Sequence, residues 1–505
     1  IGPNPQSPIP NEHIFFEINI LEYLFLFKVK KNKIFNMQGG IVKLVDINDY
    51  ISPNQSCIKS LAETVKGKQG NKVKKITLDD CLSCTGCITS SEALLVNNCS
   101  LENHYSLIKN NYNDDSFKIG IISYQALESF IIVYKQIKNI QDHNINYYNE
   151  IANIIAEILN IDFVLSLNDF ILYTLNLSFN EFLERKKTGL NIGTISSECP
   201  GWVCYAEKKI GKISFNYMSN IKSPHEIASI IIKTLFEKYF NKINNNYNTE
   251  KNLYLCSIMS CFDKKIEPIK YKTGINTVIS TIELEEKFKS FLMNQNNIKN
   301  RIISIQLLKK SLDILKNIKE TKEFINEEVT KSKIDINLSL YNFTFTENYS
   351  SNYYIEYFIY KIIKSNPNCY IERKPGKNID SKEIIIYNDE TKNDIIYKFL
   401  ISYGFRNVQN IVKNIKSNKN KYDYIELMAC PGGCINGAGQ IRVEKSRDDI
   451  FNQIKNGINY FKDGKTDIEN SINEIEKIVC ELSVDRSIFK QSFKEADFSK
   501  SDMDW

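Results

Sequence analysis

Three cysteines near the N-terminus share a spacing that suits metal chemistry. Cys81, Cys84 and Cys87 stand in the segment LDDCLSCTGCITSSE, with two residues between successive thiols. Three thiolates at this spacing can surround one corner of an iron–sulfur cubane, whereas zinc usually takes two separate cysteine pairs. The spacing therefore favours iron–sulfur over zinc, and it leaves Cys57 and Cys99 as alternative fourth ligands.

Four further cysteines lie far apart in sequence but share one context. Cys199, Cys261, and the Cys430 and Cys434 pair of LMACPGGCING each follow a short, largely apolar segment. Such segments are typical of buried strands, and open α/β sheets bind ligands outside the carboxyl ends of their strands. Four thiolates gathered there would satisfy one 4Fe–4S cluster. The predicted strands cover residues 190–196, 252–259 and 422–428.

Prolines and glycines follow these cysteines directly. Pro200 and Pro431 are predicted to end their strands, and Gly432 and Gly433 to permit a tight reversal. We expect the backbone N–H groups of the two glycines to point at cluster sulfurs. The ordinary alternative, a buried core cysteine, fits Cys204, Cys256, Cys369 and Cys480.

Composition narrows the class of protein. The chain has 505 residues and a net charge of +5, without a basic tract that would predict nucleic-acid binding. It has no apolar run long enough to predict a membrane span. Thirteen cysteines without a convincing signal peptide indicate metal ligands or reduced thiols rather than disulfides. None of the four histidines falls within a cysteine cluster, which argues against a mixed zinc site.

Helices are predicted between the strands. Residues 223–243 begin with a Ser-Pro-x-Glu capping box and continue with apolar residues every four positions. Residues 119–135 are predicted as a strand followed by a helix, and residues 394–415 as helical around a break at Gly404. The pattern predicts an α/β fold with two parallel-sheet lobes and a small N-terminal cluster-binding region.

Five segments are predicted along the chain. The first is interpreted as a disordered leader or a gene-model extension, and the last as a tail that ends on Trp505. Between them lie the N-terminal cluster-binding region and two α/β lobes. In this order the segments are 1–36, 37–112, 113–330, 331–490 and 491–505.

An ordered set of motifs resembles one family. DINDYISPNQSCIK, LDDCLSCTGCITSSE, SSECPGWVCYAEK, KSPHEI, IMSCFDKKIEP, STIELEEKF, IELMACPGGCINGAGQ and DMDW are similar, in this order, to the iron-only hydrogenase-like proteins of cytosolic iron–sulfur assembly. This is the Nar family, related to the prelamin-A recognition factors. The resemblance implies an iron-only hydrogenase-like fold and two 4Fe–4S clusters. It implies Cys57, Cys81, Cys84 and Cys87 as ligands of the first cluster, and Cys199, Cys261, Cys430 and Cys434 as ligands of the second.

The same resemblance raises an alternative, a true iron-only hydrogenase. Hydrogenases carry a proton-relaying thiol where this chain has Glu198, and Ser260 replaces a proline that most relatives have. Lys264 and Lys265 remain in the neighbourhood that a di-iron unit would use, although a solvated basic pair is the ordinary interpretation. A zinc-stabilised interaction protein is the third hypothesis.

The resemblance also implies a role and partners. It implies a cluster-binding assembly factor without substrate turnover, which helps deliver 4Fe–4S clusters to cytosolic and nuclear apoproteins. Its partners would be a cytosolic iron–sulfur scaffold and a targeting complex, and its location the cytoplasm, with the nucleus as a second compartment. Met503, Asp504 and Trp505 resemble the terminal tripeptide that docks onto the targeting complex. Neither nucleic acid nor membrane is an expected partner.

Overall fold

The structure is a computed structural model, and it describes residues 99–112, 116–140, 147–188, 193–241, 252–294, 299–314, 318–331, 353–441 and 468–494. All of them fall within the unit Asn54–Trp505. The predictions for the leader, for all but the first residues of the C-terminal tail and for all but the last residues of the N-terminal cluster-binding region lie outside the described residues.

Two open β-sheets form the framework of the described residues. Parallel and antiparallel strands contribute to them, and helices separate most consecutive strands. In chain order the strands are β1 Phe117–Ile122, β2 Phe163–Ser166, β3 Thr194–Ile195, β4 Leu253–Met259, β5 Thr277–Ser280, β6 Tyr370–Pro375, β7 Ser381–Tyr387, β8 Ile395–Tyr403 and β9 Tyr424–Met428.

The first sheet is parallel and has the order β2–β1–β4–β5. Every residue of β1 and β4 is buried, because helices cover both faces of the sheet. Continuous apolar runs are what such doubly covered parallel strands need. The predicted parallel α/β architecture is confirmed for this sheet.

The second sheet has the order β3–β9–β8–β7–β6 and is mixed. Strands β3, β9 and β8 run parallel, whereas β8, β7 and β6 pair antiparallel. The antiparallel extension was not foreseen from the sequence. Strand β3 lies within the predicted first lobe yet pairs with β9, so residues of that segment contribute to the second sheet. The division at residue 330 itself stays a prediction.

Helices cover both sheets and connect their strands. The short π-helical segment Ala206–Ile210 continues one of them directly. In chain order the helices are α1 Leu101–Asn111, α2 Tyr124–Ile137, α3 Tyr148–Leu159, α4 Asn168–Lys187, α5 Pro200–Tyr205, α6 Lys212–Phe215, α7 Pro224–Asn241, α8 Ile266–Tyr271, α9 Thr281–Met293, α10 Ile305–Ile314, α11 Ile318–Lys331, α12 Tyr354–Ser365, α13 Phe405–Lys416 and α14 Ile468–Glu481. Within the described ranges, no helix combines the length and the apolar character that crossing a membrane requires.

Helix α7 follows its sequence signals closely. The Ser223 side chain accepts from the Glu226 backbone N–H at 3.4 Å, and the Glu226 carboxylate accepts from the Ser223 N–H at 3.3 Å. These two bonds form the predicted capping box. Ile227, Ile231 and Leu235 are fully buried, as the four-residue spacing predicts.

The prediction of helix on both sides of Gly404 was wrong for its first half. Residues Ile395–Tyr403 form strand β8, which pairs with β7 on one side and β9 on the other. Gly404 has φ 84°, and helix α13 begins immediately after it. The segment IIYKFLISY is rich in β-branched and aromatic residues, which pack well in a sheet, and two neighbouring strands supply its backbone hydrogen bonds.

One hydrophobic core connects the two sheets. It contains Ile119 and Leu255 of the first sheet together with Phe399 and Ile425 of the second. A separate cluster covers the other face of the first sheet, where helices α2, α3 and α9 pack. The two sheets therefore share buried apolar contacts, which fix the relative positions of their strand ends.

Candidate metal centre

Strand ends from both sheets carry the four late cysteines. Cys261 follows β4 of the first sheet by two residues, and Cys430 follows β9 of the second sheet by two residues. Cys199 lies four residues beyond β3, the strand that pairs with β9. The structure thus brings together residues that are more than 200 positions apart in sequence, as the strand-end pattern predicts.

Cys199 is held at the start of helix α5. It is the N-cap residue, and Pro200 occupies the first helical position, where the fixed φ of proline is already helical. Pro200 therefore begins a helix here. A Cβ on Gly201 would lie 2.4 Å from Asp263 Oδ2, so a larger residue here would displace the Asp263 carboxylate.

The turn after Cys430 depends on two glycines. Gly432 and Gly433 both have φ 77°, which confirms the predicted tight reversal. Their N–H groups, however, donate to Asp380 Oδ1 at 2.9 Å and to the Cys430 carbonyl at 3.0 Å. The expectation that these amides point at cluster sulfurs was wrong, because one donates to Asp380 in the loop between β6 and β7 and the other donates within the turn itself.

The backbone of Cys434 contacts the loop that follows β4 and carries Cys261. Cys434 begins the short 3₁₀ helix Cys434–Asn436, and its carbonyl accepts from Ser260 Oγ at 2.8 Å. A Cβ on Gly437 would lie 2.2 Å from the Ser260 carbonyl oxygen, so this approach requires glycine. The contact connects loops that follow strands of different sheets.

The four thiols influence one another electrostatically. Burial raises the pKa of Cys199 to about 12, and the charge of Cys261 adds to the shift. Cys261 donates to Cys430, which together with burial raises the pKa of Cys261 well above its usual value. That bond lowers the pKa of Cys430, but burial and the charge of Cys199 outweigh it. Burial has the largest effect on Cys434 and raises its pKa, and the charges of Glu198 and Cys199 raise it further.

These shifts mean that the thiolate forms need a compensating cation. Four cysteine side chains in one place are the donor set that a 4Fe–4S cluster takes. Among the described residues, no three His, Cys, Asp or Glu side chains surround a point closely enough for one metal ion. A cubane distributes its thiolates over four irons, so its ligands do not need that arrangement.

Hydrogen-bond donors also stand beside the cysteines. The Ala429 N–H donates to Cys199 Sγ at 3.4 Å. Ser197 Oγ and Trp202 Nε1, which flank Cys199 in sequence, are buried and have no hydrogen-bond partner among the residues that the structure describes. Polar groups around cluster sulfurs tune such sites. The donors and the four thiols together fit an iron–sulfur cluster.

The site lies between the interior and the surface. Cys199 and Cys261 are buried, whereas Cys430 and Cys434 are half-buried. Pro431, between the latter two, is exposed. The loop that carries Cys430 and Cys434 therefore reaches the surface at Pro431.

Two lysines beside the site are buried, so the solvated interpretation was wrong for both. Lys264 and Lys265 are 6% and 1% exposed. Lys264 Nζ bonds the Glu267 carboxylate at 2.8 Å and the Glu198 carbonyl at 3.0 Å. Lys265 Nζ bonds both oxygens of Glu283 at 2.8 Å. Each ammonium has a fixed partner inside the protein.

Sequence reasoning singled out Glu198 near these lysines but missed His225 and Glu267. Glu198 is half-buried and hydrogen-bonds the buried Tyr354, and Glu267 contacts His225. His225 and Glu267 lie in KSPHEI and IMSCFDKKIEP, two of the motifs that carry the resemblance. Those motifs were the available signal, because nothing in their spacing predicts that the two residues meet.

The remaining cysteines divide by burial. Cys204 and Cys256 are buried, as predicted for core cysteines, whereas Cys369 is half-buried and Cys480 is exposed. Cys369 still packs against the hydrophobic core, so the core interpretation was wrong only for Cys480. Cys99, the alternative fourth ligand, is buried, and its carbonyl accepts from Lys265 at 2.7 Å. Predicted site residues outside the described part of the chain are Cys57, Cys81, Cys84, Cys87, Met503, Asp504 and Trp505.

Solved structures with the same fold are [FeFe]-hydrogenases. A variant of [FeFe]-hydrogenase HydA1 from Chlamydomonas reinhardtii matches at a TM-score of 0.51 and 16% identity, covering 78% of this chain and 99% of that chain. A second [FeFe]-hydrogenase, from work on oxygen inactivation, also gives 0.51 and 16%, covering 78% and 98%. Two open α/β sheets with cysteines at their facing strand ends thus define a protein of the iron-only hydrogenase fold, which confirms the predicted fold class.

The sequence profile of the iron-only hydrogenase large subunit, C-terminal domain, matches residues 145–438. This match covers more than half of the chain, and the chain belongs to this family.

The most similar curated relatives include proteins named as cytosolic Fe-S cluster assembly factors. A probable cytosolic Fe-S cluster assembly factor of Anopheles gambiae is 28% identical over 454 residues, 81% of this chain and 86% of that protein. The cytosolic Fe-S cluster assembly factor narfl of Xenopus tropicalis is 26% identical over 467 residues, 83% and 89% respectively. A probable assembly factor of Drosophila erecta is 29% identical over 437 residues, 79% and 84%. These similarities confirm the family resemblance that the ordered motifs indicate.

Proposed function

We propose that the four late cysteines bind one 4Fe–4S cluster, called here the second cluster. The observation that carries this proposal is the convergence of cysteines from strand ends of both sheets. When bound, the cluster would supply one-electron chemistry or transferable iron and sulfide. The chain's own residues would hold it by thiolate bonds and by the Ala429 N–H donated to Cys199. Its ligands are Cys199, Cys261, Cys430 and Cys434.

A first cluster is proposed on the N-terminal cysteines. The C-x2-C-x2-C spacing supplies three thiolates, and the family resemblance supplies the fourth. Cluster binding by three closely spaced cysteines and one distant cysteine is common in ferredoxin-like regions. The proposed ligands are Cys57, Cys81, Cys84 and Cys87.

The cellular role proposed for the chain is cytosolic iron–sulfur cluster assembly. Relatives that align over about four-fifths of it are named as assembly factors. The chain would bind two 4Fe–4S clusters and help deliver clusters to cytosolic and nuclear apoproteins, without turnover of a substrate. The competing function, hydrogen chemistry at a di-iron unit, has the shared fold in its favour, but Glu198 stands where hydrogenases have a relay thiol.

Mössbauer spectroscopy with iron quantitation tests both roles on full-length protein isolated anaerobically from its own cells. Two cubanes require about eight irons per chain, all with cubane signals. An additional low-spin di-iron signal, or hydrogen evolution, would support the hydrogenase function instead. Zinc in place of iron would support a zinc-stabilised interaction protein.

Cysteine variants assign the second cluster. We expect Cys430→Ala and Cys434→Ala to lose about four irons per chain, the content of one cubane. Cys480→Ala is the matched control, because this exposed cysteine lies on α14 and should leave the iron content unchanged. Unchanged iron in both ligand variants would refute the assignment.

The proposed partners are a cytosolic iron–sulfur scaffold and a targeting complex. The segment Met503-Asp504-Trp505 would dock onto the targeting complex through its aromatic side chain and the neighbouring Asp504 carboxylate. Trp505→Ala should weaken co-purification with that complex from cell extracts while the iron content stays unchanged. Undiminished co-purification would exclude the segment as the docking element.

A further inference from the structure

A chain of buried polar side chains leads away from the four cysteines. Lys264 Nζ lies 2.8 Å from Glu267 Oε1, and the other carboxylate oxygen, Oε2, lies 2.9 Å from His225 Nδ1. His225 Nε2 lies 2.7 Å from Ser257 Oγ on strand β4. All four side chains are more than nine-tenths buried. The chain therefore links the loop after Cys261 to the interior of the first sheet.

The protonation states along this chain follow from its contacts. Burial lowers the pKa of His225 despite its hydrogen bond to Glu267, so the ring is neutral at pH 7. The neutral ring donates from Nδ1 to Glu267 and accepts at Nε2 from the Ser257 hydroxyl. Burial alone would raise the pKa of Glu267, but the Lys264 charge and the His225 bond hold it below its usual value. Glu267 is thus a fixed carboxylate.

Lys264 connects this carboxylate to the cysteine site. Its ammonium donates to the carbonyl of Glu198, the residue before Cys199, at 3.0 Å. Burial opposes its charge, yet Glu267, Glu198 and Cys434 raise the pKa of Lys264 above its usual value. A permanent positive charge therefore lies against the backbone of Glu198, the residue directly before Cys199.

A fixed cation at this place has a consequence for electron transfer. Four thiolates and a cubane together carry net negative charge, and one further electron increases it. In a buried site such charges are weakly screened, and net charge is one of the properties that set cluster potentials. An ammonium held beside the ligands stabilises the reduced form more than the oxidised form.

We propose that Lys264 is the built-in positive charge that sets the reduction potential of the second cluster. Glu267 accepts a hydrogen bond from this ammonium and partly offsets its charge, and His225 and Ser257 are positioning residues that hold the Glu267 carboxylate in place. This inference rests on the proposed function, because it presumes that the four late cysteines bind a cluster.

The test is an anaerobic redox titration of full-length protein followed by electron paramagnetic resonance. The signal of the second cluster is identified as the one that Cys430→Ala abolishes. Lys264→Met removes the cation, and we expect a midpoint lowered by about 59 mV, a tenfold change for one electron. Glu267→Gln removes the opposing carboxylate and should raise the midpoint. Lys264→Arg keeps the charge and should stay nearer to the wild-type value than Lys264→Met does.

Lys265→Met is the matched control. Lys265 is the next residue and is also buried and ion-paired, but its ammonium bonds Glu283 and the Cys99 carbonyl. If Lys264 acts through its position at the cysteine site, the control shifts the midpoint less than Lys264→Met. Equal shifts in the two variants would mean that any buried lysine serves, and would overturn the proposal.

The remaining outcomes separate this inference from the function on which it rests. Opposite shifts in Lys264→Met and Glu267→Gln, with iron content unchanged, support it. Unchanged midpoints, or shifts in the same direction, overturn it while leaving the cluster assignment intact. Wild-type protein without a Cys430-dependent signal would instead refute the proposed function. If Lys264→Met loses its iron, the other two variants decide. A raised midpoint in Glu267→Gln with a nearly wild-type midpoint in Lys264→Arg supports the proposal, and an unchanged or lowered midpoint in Glu267→Gln overturns it.

Discussion

At the scale of single residues, small side chains determine how close the cysteine loops can come. Gly201 and Gly437 stand where a Cβ would meet Asp263 or the Ser260 carbonyl at less than 2.5 Å. Gly433 serves a different purpose, because its φ of 77° and ψ of −162° belong to a region almost restricted to glycine. The chemistry of the site thus depends on residues that bind nothing themselves.

Gly433→Ala should weaken both the turn and the site. The backbone conformation costs a non-glycine residue about 1–3 kcal/mol, so we expect the free energy of unfolding to fall by that amount in a denaturant titration. Iron content should fall as well, because Cys434 follows directly. Pro431→Ala, at an exposed position of the same turn, is the control and should change stability by much less. Equal stability of the two variants would contradict this account of the turn.

At the scale of elements, a cluster of aromatic side chains packs helices α4 and α12 against the second sheet. Phe182 of α4 is fully buried, and its ring stacks on Phe358 of α12 with centroids 5.5 Å apart. It also meets Tyr397, Phe399 and Tyr424 edge-on, at 5.2, 5.7 and 6.0 Å. Strand β9, which leads to Cys430, is held in place partly through this cluster.

Phe182→Ala should therefore destabilise the second sheet. Truncating a buried phenylalanine typically costs about 3–5 kcal/mol, because the remaining cavity cannot close fully. Chemical denaturation measures this loss. Ile363→Ala on α12, whose side chain is 42% exposed, is the control and should cost far less. A loss below that of the control would show that the aromatic cluster does not stabilise the sheet.

At the scale of the whole molecule, the cysteine site is a second connection between the two sheets. The hydrophobic core already joins them, and thiolates from both would be joined again through the proposed second cluster. Metal binding at a site that forms only in the folded chain adds to folding stability. Cluster loss should then loosen the connection between the sheets.

Removal of iron by a chelator should consequently lower the thermal midpoint of wild-type protein. The drop should be larger than in Cys430→Ala, which lacks the second cluster from the start and can lose only the first. Differential scanning calorimetry under anaerobic conditions compares the two. Identical drops would indicate that the second cluster does not stabilise the folded chain.

Sequence reasoning went furthest where short-range physics decides. The capping box at Ser223 and Glu226, the positive φ at Gly432 and Gly433, and the strands that end before Cys261 and Cys430 follow from local preferences. The helix prediction failed before Gly404, because partner strands β7 and β9 outweigh the local apolar pattern. The antiparallel edge at β6 escaped prediction for the same reason, since its hydrogen bonds come from elsewhere in the chain.

The sequence by itself determined the family resemblance, the α/β class and the cysteines that could act together, because motif order and residue type need no coordinates. Only the tertiary structure decided that Lys264 is buried against Glu267, and that His225 and Ser257 stand behind it. The turn amides were likewise assigned to Asp380 and the Cys430 carbonyl only by the fold. Burial and long-range hydrogen bonds depend on which strand ends meet, and that information is spread over the whole chain rather than written in any segment of it.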